Sequence, residues 1–284
     1  MAINIPKYWH KVEYKQGKDS VVVNGWSHNS QTEAVEKAEK KAKKVFDMIM
    51  SDKKPDSYEY FQTPIREEIV ENIYHDGKVV SVISRNRYGA LVLNTENVFF
   101  ADRDFKPFCA GGFINAIKLM FNPKKKKELI EMQIKDEISA VIEWGKRNPG
   151  HPFRLYRTFA GLRLIFTGKL YDPKDEGTLD LLDSLGSDPM YIKLTKNQSC
   201  FRARMTPKPW RIKCDRPPHR FPYLNEKEYT AHMKWLEDYS NKSRNYKICT
   251  LIGGADNALE ISEIKKIVDL HDRMASVKDE MPLA

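Results

Sequence analysis

Leu155-Tyr156-Arg157-Thr158-Phe159-Ala160-Gly161-Leu162-Arg163-Leu164-Ile165-Phe166 is the stretch on which the fold class turns. Apolar and polar residues alternate on both sides of Phe159-Ala160-Gly161. A period of two is the mark of a strand with one packed face. Two such runs around a small-residue turn predict an antiparallel hairpin over Phe153–Thr158 and Leu162–Thr167. Antiparallel hairpins mixed with amphipathic helices predict an α+β chain, an antiparallel sheet with flanking helices.

Upstream, Val79–Ser84, Ala90–Asn94 and Asn97–Ala101 are β-branched and aromatic runs broken by turn residues, and read as strands. The tight connection Asn94-Thr95-Glu96-Asn97 predicts that the last two pair antiparallel. A loop through Gly111-Gly112 leads to a helical region with a charged break at Asn122-Pro123-Lys124 to Lys127. Glu128–Arg147 then has helical periodicity in Leu129, Met132, Ile138, Val141, Ile142 and Trp144, and Asn148-Pro149-Gly150 ends it.

Towards the N-terminus, Val21-Val22-Val23 runs into Asn24-Gly25, a hairpin turn signal. Ser30 and Glu33 form a capping box for a helix from Gln31 to Ile49. Ala34, Ala38, Ala42, Val45 and Ile49 trace its expected buried stripe, opposite Glu36, Lys37, Lys40, Lys41 and Lys44. Ser51–Thr63 is a polar connector, and Pro64 is placed to open a short helix through Glu71.

Downstream, Asp175–Leu185 reads as a helix ended by Gly186. Tyr191-Ile192-Lys193-Leu194 and Phe201–Met205 look strand-like. Glu226–Tyr239 is an amphipathic helix, Tyr246–Ile252 a strand before a Gly253-Gly254 turn, and Leu259–Met274 a last helix. No internal repeat is visible. The chain divides into an N-terminal α/β extension (1–75), a sheet-rich centre (76–215) and a helical C-terminal extension packed on it (216–284).

Composition narrows the partner. The 284 residues are 41% hydrophobic and 31% charged, enough for a substantial core, with net charge +9. A basic excess attracts polyanions: nucleic acid, nucleotide or an anionic surface. No apolar run reaches about 18 residues, and the first ten residues lack an apolar signal core. A cytoplasmic, membrane-free protein is expected. Cys109, Cys200, Cys214 and Cys249 have no CxxC spacing, so neither a zinc ribbon nor a redox pair is indicated.

Three segments could carry chemistry. Asp102 and Asp104 close an apolar strand and point to one side of it, so they could share a divalent cation, Mg2+ or Mn2+. A turn or cap is the plain alternative. Arg157 and Arg163 flank the hairpin turn on otherwise apolar strands, where they either approach a nucleotide or pair with carboxylates. The run Cys200–Arg220 holds seven Lys or Arg (202, 204, 208, 211, 213, 216, 220) against Asp215 alone. Prolines 207, 209, 217 and 218 forbid a regular helix there. Arg202 and Arg204 should share a strand face. Phe201 and Trp210 would stack on bases or pack inward. Such a ribbon suits phosphates, with a solvated loop as the alternative. The seven histidines are scattered with none at zincin spacing, and His271 reads as a packing or hydrogen-bonding residue. Phosphate-loop and nucleophile-elbow motifs are missing.

A strand ending in Asp-x-Asp, then helices, then a Thr-x-x-Gly-x-Arg hairpin resembles the palm of the archaeo-eukaryotic primase and primase–polymerase superfamily over roughly residues 80–210. The resemblance implies an RRM-like palm over 76–215 and metal-dependent nucleotidyl transfer on nucleic acid. Asp102 and Asp104 would then be catalytic metal ligands, with Thr158 beside the incoming nucleoside triphosphate. Arg157, Arg163, Arg202, Arg204, Lys208 and Arg211 would hold triphosphate or backbone. Arg163 stands where that family usually has His. Its third acid has only Asp172 and Asp188 as candidates, neither after a clear strand. A catalytically silent nucleic-acid or nucleotide binder, or a metal-dependent nuclease, are the alternatives. The whole chain also resembles bacterial and phage proteins of unassigned function, through Gly-Ala-Leu-Val-Leu-Asn-Thr (89–95) and Phe-Arg-Ala-Arg-x-Thr-Pro-Lys-Pro-Trp-Arg (201–211).

Overall fold

The computed structural model describes residues 3–51, 64–111, 117, 120–254, 261–276 and 280–284. The 155–166 stretch forms its hairpin: β7 (Phe153–Thr158) pairs with β8 (Gly161–Phe166), Leu155 opposite Leu164 and Tyr156 opposite Arg163. Gly161 admits close approach of the next strand. A Cβ there would lie 2.1 Å from the carbonyl oxygen of Arg103 on the neighbouring strand. That strand, β6 (Phe100–Asp104), pairs with β8, and β10 (Cys249–Gly254) pairs with β7, so the sheet order is β10-β7-β8-β6. Helix α2 (Pro123–Arg147) joins β6 to β7, and β8 lies between those two strands, a split βαβ unit.

A second sheet has the order β3 (Glu68–His75), β4 (Lys78–Arg85), β5 (Leu91–Thr95), β9 (Phe201–Arg204). A third is the hairpin β1 (Tyr8–Gln16) and β2 (Asp19–Ser27), covered by α1 (Gln31–Met50). The other helices are α3 (Glu176–Ser184), α4 (Pro189–Gln198), α5 (Glu226–Ser243) and α6 (Ser262–Ala275). With all strand pairs antiparallel and the helices outside, the chain is α+β. Among the described residues no helix is long and apolar enough to cross a membrane.

One main core joins the two larger sheets. Ile83, Leu93, Phe201 and Ala203 come from the second sheet. Phe99, Phe100, Leu155, Leu162, Leu164 and Phe166 come from β6–β8 and the residue before them, and Ile264, Ile267 and Val268 from α6. The sheets meet edge to edge, β9 beside β6. The Tyr191 hydroxyl from α4 sits in the seam: it lies 2.9 Å from the Phe100 carbonyl oxygen, 3.4 Å from that of Arg202 and 3.3 Å from the Arg202 amide, which donates to it. A side chain thereby satisfies edge groups that a ladder bond would otherwise take.

Several local expectations are corrected. Asn24-Gly25 is not a turn; the β1–β2 turn is Gly17-Lys18, with Gly17 at φ +64°. Gly25 is instead where α1 lies on β2: a Cβ would be 2.4 Å from the Ala34 oxygen and the Ala38 nitrogen. The stripe of α1 is Ala34, Ala38, Ala42 and Phe46, while Ile49 is exposed. The helix expected from Pro64 to Glu71 is absent, because 68–75 pairs with β4 and strand pairing overrides local preference.

Ala90–Asn94 and Asn97–Ala101 do not pair. β5 already has β4 and β9 on its two sides, and the linker carries the chain across to the other sheet. Thr95 Oγ1 donates to the Val98 carbonyl at 2.6 Å in that crossing. The expected strand at 97–101 is shifted to 100–104, so both aspartates lie within it.

The charged break at 122–127 is the start of α2, with Asn122 as cap and Pro123 in the first turn. Tyr191–Leu194 is helical, because Asp188 caps α4 through the amides of Met190 (2.7 Å) and Tyr191 (3.2 Å). Gly253 and Gly254 belong to β10; a Cβ on Gly254 would meet the Phe153 carbonyl oxygen at 2.4 Å. The connector at 52–63, Gly112, and Leu259 and Glu260 lie outside the described residues. The β3–β4 hairpin crosses the expected 75/76 boundary, and β10, from the C-terminal segment, completes the sheet of β6–β8.

Candidate functional site

The seam gathers most of the residues singled out in sequence. β9 alternates: Phe201 and Ala203 are buried in the core, and Arg202 and Arg204 share the opposite face. Arg202 is structural. It donates to Glu67 at 2.6 Å and Gln198 at 3.2 Å, and Glu67 also accepts from Ser84 Oγ at 2.5 Å. Arg204 donates to the Thr206 carbonyl at 2.8 Å. Burial, Arg163 and Arg211 together push its guanidinium down to about 10, with Asp102 opposing. Lys208 is lowered by burial and by Arg204 and Arg211, against Asp104 and Asp102. Burial also lowers Arg211, with Asp104 opposing. Arg211 thus acts on Arg204, and both act on Lys208, so like charge accumulates around Arg204.

Asp102 does not stand free. Arg163 grips it side-on, Nε to Oδ1 at 2.8 Å and Nη2 to Oδ2 at 3.0 Å. Arg163 is 1% exposed in the middle of an all-buried strand. Burial alone would lower its pKa; the Asp102 charge and hydrogen bonds raise it instead. Its Nη1 donates to the Arg204 carbonyl at 3.0 Å, a second tie across the seam, and lies 3.3 Å from His271 Nε2. Guanidinium only donates, so Nε2 accepts and the His271 proton is on Nδ1, 2.9 Å from Asp272 Oδ1. Asp272 also accepts from Tyr156 at 2.7 Å and Arg154 at 3.0 Å. Burial and the adjacent Arg163 keep His271 neutral, against Asp272. The reading of His271 as a packed, hydrogen-bonded residue holds.

Asp104 is the exposed member of the aspartate pair, on the same side of β6 as Asp102. By strand parity Thr158 faces Arg163's side of the sheet, and Arg157 faces the other, where its guanidinium lies 5.2 Å from the Phe105 ring. Asp172 accepts from the Lys174 amide in a turn, and Asp188 caps α4. Among the described residues no three His, Cys, Asp or Glu side chains gather as a metal site. Arg163 donates to both Asp102 oxygens, so a divalent cation held by Asp102 and Asp104 would share the Asp102 carboxylate with a buried guanidinium.

The aromatic part of the site lies outside the strands. Trp210 sits in the 3-10 turn Pro209–Arg211 and is 45% exposed. Tyr88 packs edge-on to it at 5.2 Å; Lys208 and Arg216 lie 5.7 and 5.4 Å from its ring centre. Phe159, at the hairpin tip, is 52% exposed with the Arg211 guanidinium 4.2 Å from its ring centre. Sequence reading missed Tyr88, Tyr191, Glu67 and Asp272. One signal was available: a charge in the apolar run Leu162-Arg163-Leu164-Ile165 requires a partner, though nothing local says which. Compared with protein-family models, curated proteins and solved structures, the chain gives no match.

Proposed function

We propose that the chain binds the phosphates of a nucleic acid or nucleotide at the seam between its two larger sheets, without metal chemistry. The carrying observation is the basic ground around Arg204, where Arg163 and Arg211 lower Arg204 and Arg204 and Arg211 lower Lys208, while Asp102 is held by Arg163. Side chains that repel one another in a folded protein gain free energy from an anion placed among them. Net charge +9 adds long-range attraction. Salt titration of binding to oligonucleotides is the test. Lys208→Ala and Arg211→Ala should each lower the slope of log affinity against log salt by about 0.7–0.9. Binding that ignores salt, or none at low salt, refutes the reading.

The second reading keeps the RRM-like, primase-type palm and metal-dependent nucleotidyl transfer, or cleavage, at Asp102 and Asp104. It is favoured by the placing of both acids on one side of β6 beside the cations. Asp104→Asn separates the two by sign. Under phosphate binding it removes a repulsive charge and tightens binding; under the metal reading it abolishes Mg2+- or Mn2+-dependent turnover.

A further inference from the structure

We infer that the ligand of this site is a single-stranded nucleic acid whose bases stack on Trp210 and Phe159. The inference rests on the phosphate-binding reading and adds what the phosphates belong to. Trp210 is half-exposed, yet it is rigidly placed: the Arg211 amide donates to the Lys208 carbonyl at 2.9 Å, and those of Ile212 and Cys214 to the Pro209 carbonyl at 3.0 Å each. Pro209 is buried beneath it. Tyr88 holds one edge of the indole and is itself covered by Arg87, 4.7 Å from its ring centre. Phe159 occupies a hairpin tip, a position where glycine, asparagine or aspartate is usual. Arg211 joins the two rings into one patch, since it follows Trp210 in the chain and covers Phe159.

Each exposed ring has a cation over its face, Lys208 and Arg216 at Trp210 and Arg211 at Phe159, so a stacking base takes the cation's place and the displaced cation meets the adjoining phosphate. Interleaved aromatic and basic groups match a strand in which bases and phosphates alternate. A duplex keeps its bases in their own stack and would leave the rings unused. Stacking accepts any base, so the site would show little sequence preference.

The test uses the full-length protein and anisotropy of labelled oligo-dT, oligo-U and a duplex of equal length at fixed salt. Single strands should bind more tightly than duplex. Trp210→Ala and Phe159→Ala should each weaken single-strand binding by about five- to one-hundred-fold. Their salt slope should stay at the wild-type value, and Trp210→Phe should retain most of the affinity. The two single-strand arms separate DNA from RNA. Equal or tighter duplex binding, or ring variants without effect, overturns the stacking inference. So does a free nucleoside triphosphate that competes as well as an oligonucleotide. Salt-dependent binding that survives any of these leaves the phosphate reading standing. A wild type that binds no polyanion refutes that reading as well.

Discussion

Arg163 is the residue on which the site is built. A buried guanidinium is costly unless its donors are met, and Asp102, the Arg204 carbonyl and His271 take four of the five. The aspartates on β6 therefore have different tasks. Asp102→Ala strands Arg163 without its counter-ion and should cost about 3–5 kcal/mol of stability in denaturant unfolding. Asp104→Ala, at an exposed strand end, should change stability by less than about 0.5 kcal/mol. In sequence the two look alike, two residues apart on one face. What distinguishes them is a strand partner 61 residues away. Likewise Arg202 and Arg204 were legible as sharing a face, but Glu67 lies 135 residues from Arg202, beyond any local pattern.

At the scale of elements, local pattern was a sound guide to the β7–β8 hairpin and β4, read from their apolar and β-branched runs, and to the later part of α2, read from its helical period, although β8 is buried on both faces. It failed where a glycine or a cap has a tertiary reason. Gly25 looked like a turn because Asn-Gly is one of the strongest local turn signals; its true role is to admit α1. Gly25→Ala should therefore lower stability by about 1–3 kcal/mol, since backbone atoms of α1 must move. Retention of the wild-type melting temperature in that variant would contradict the packing described. Tyr191–Leu194 misled in the opposite way: its β-branched and aromatic residues look extended, but Asp188 and Pro189 start a helix just ahead of them.

For the whole molecule, buried neutral histidines couple folding to acid. Burial lowers the pKa of His271 in the fold, chiefly against its ordinary value of 6.5. His232 and His151 are lowered too, burial again being the largest cause. A group whose folded pKa is depressed this way is protonated first in the unfolded chain. Stability is thus full above about pH 6.5 and falls as pH drops below it, by at most about 1.4 kcal/mol per pH unit each for the buried His271 and His232, and by less for the half-buried His151. Melting temperatures measured from pH 7.5 to 5 should decline, and His271→Gln should flatten that decline. An unchanged slope in the variant would show that His271 is not the group taking up the proton.

The seam sealed by Tyr191 and Arg163 has one more outcome, for association between molecules. An uncovered strand edge is a template for another chain. β6 and β9 face each other, and their backbone groups bond to side chains, which removes the two inner edges from risk. Among the described residues, β3 and β10 are the outer strands of these two sheets. β3 breaks register twice, at Ile69/Glu71 and Ile73/Tyr74, and β10 once, at Leu251/Gly253. Irregular edges pair poorly with an incoming strand, so the two four-stranded sheets resist extension by another molecule through these flanks.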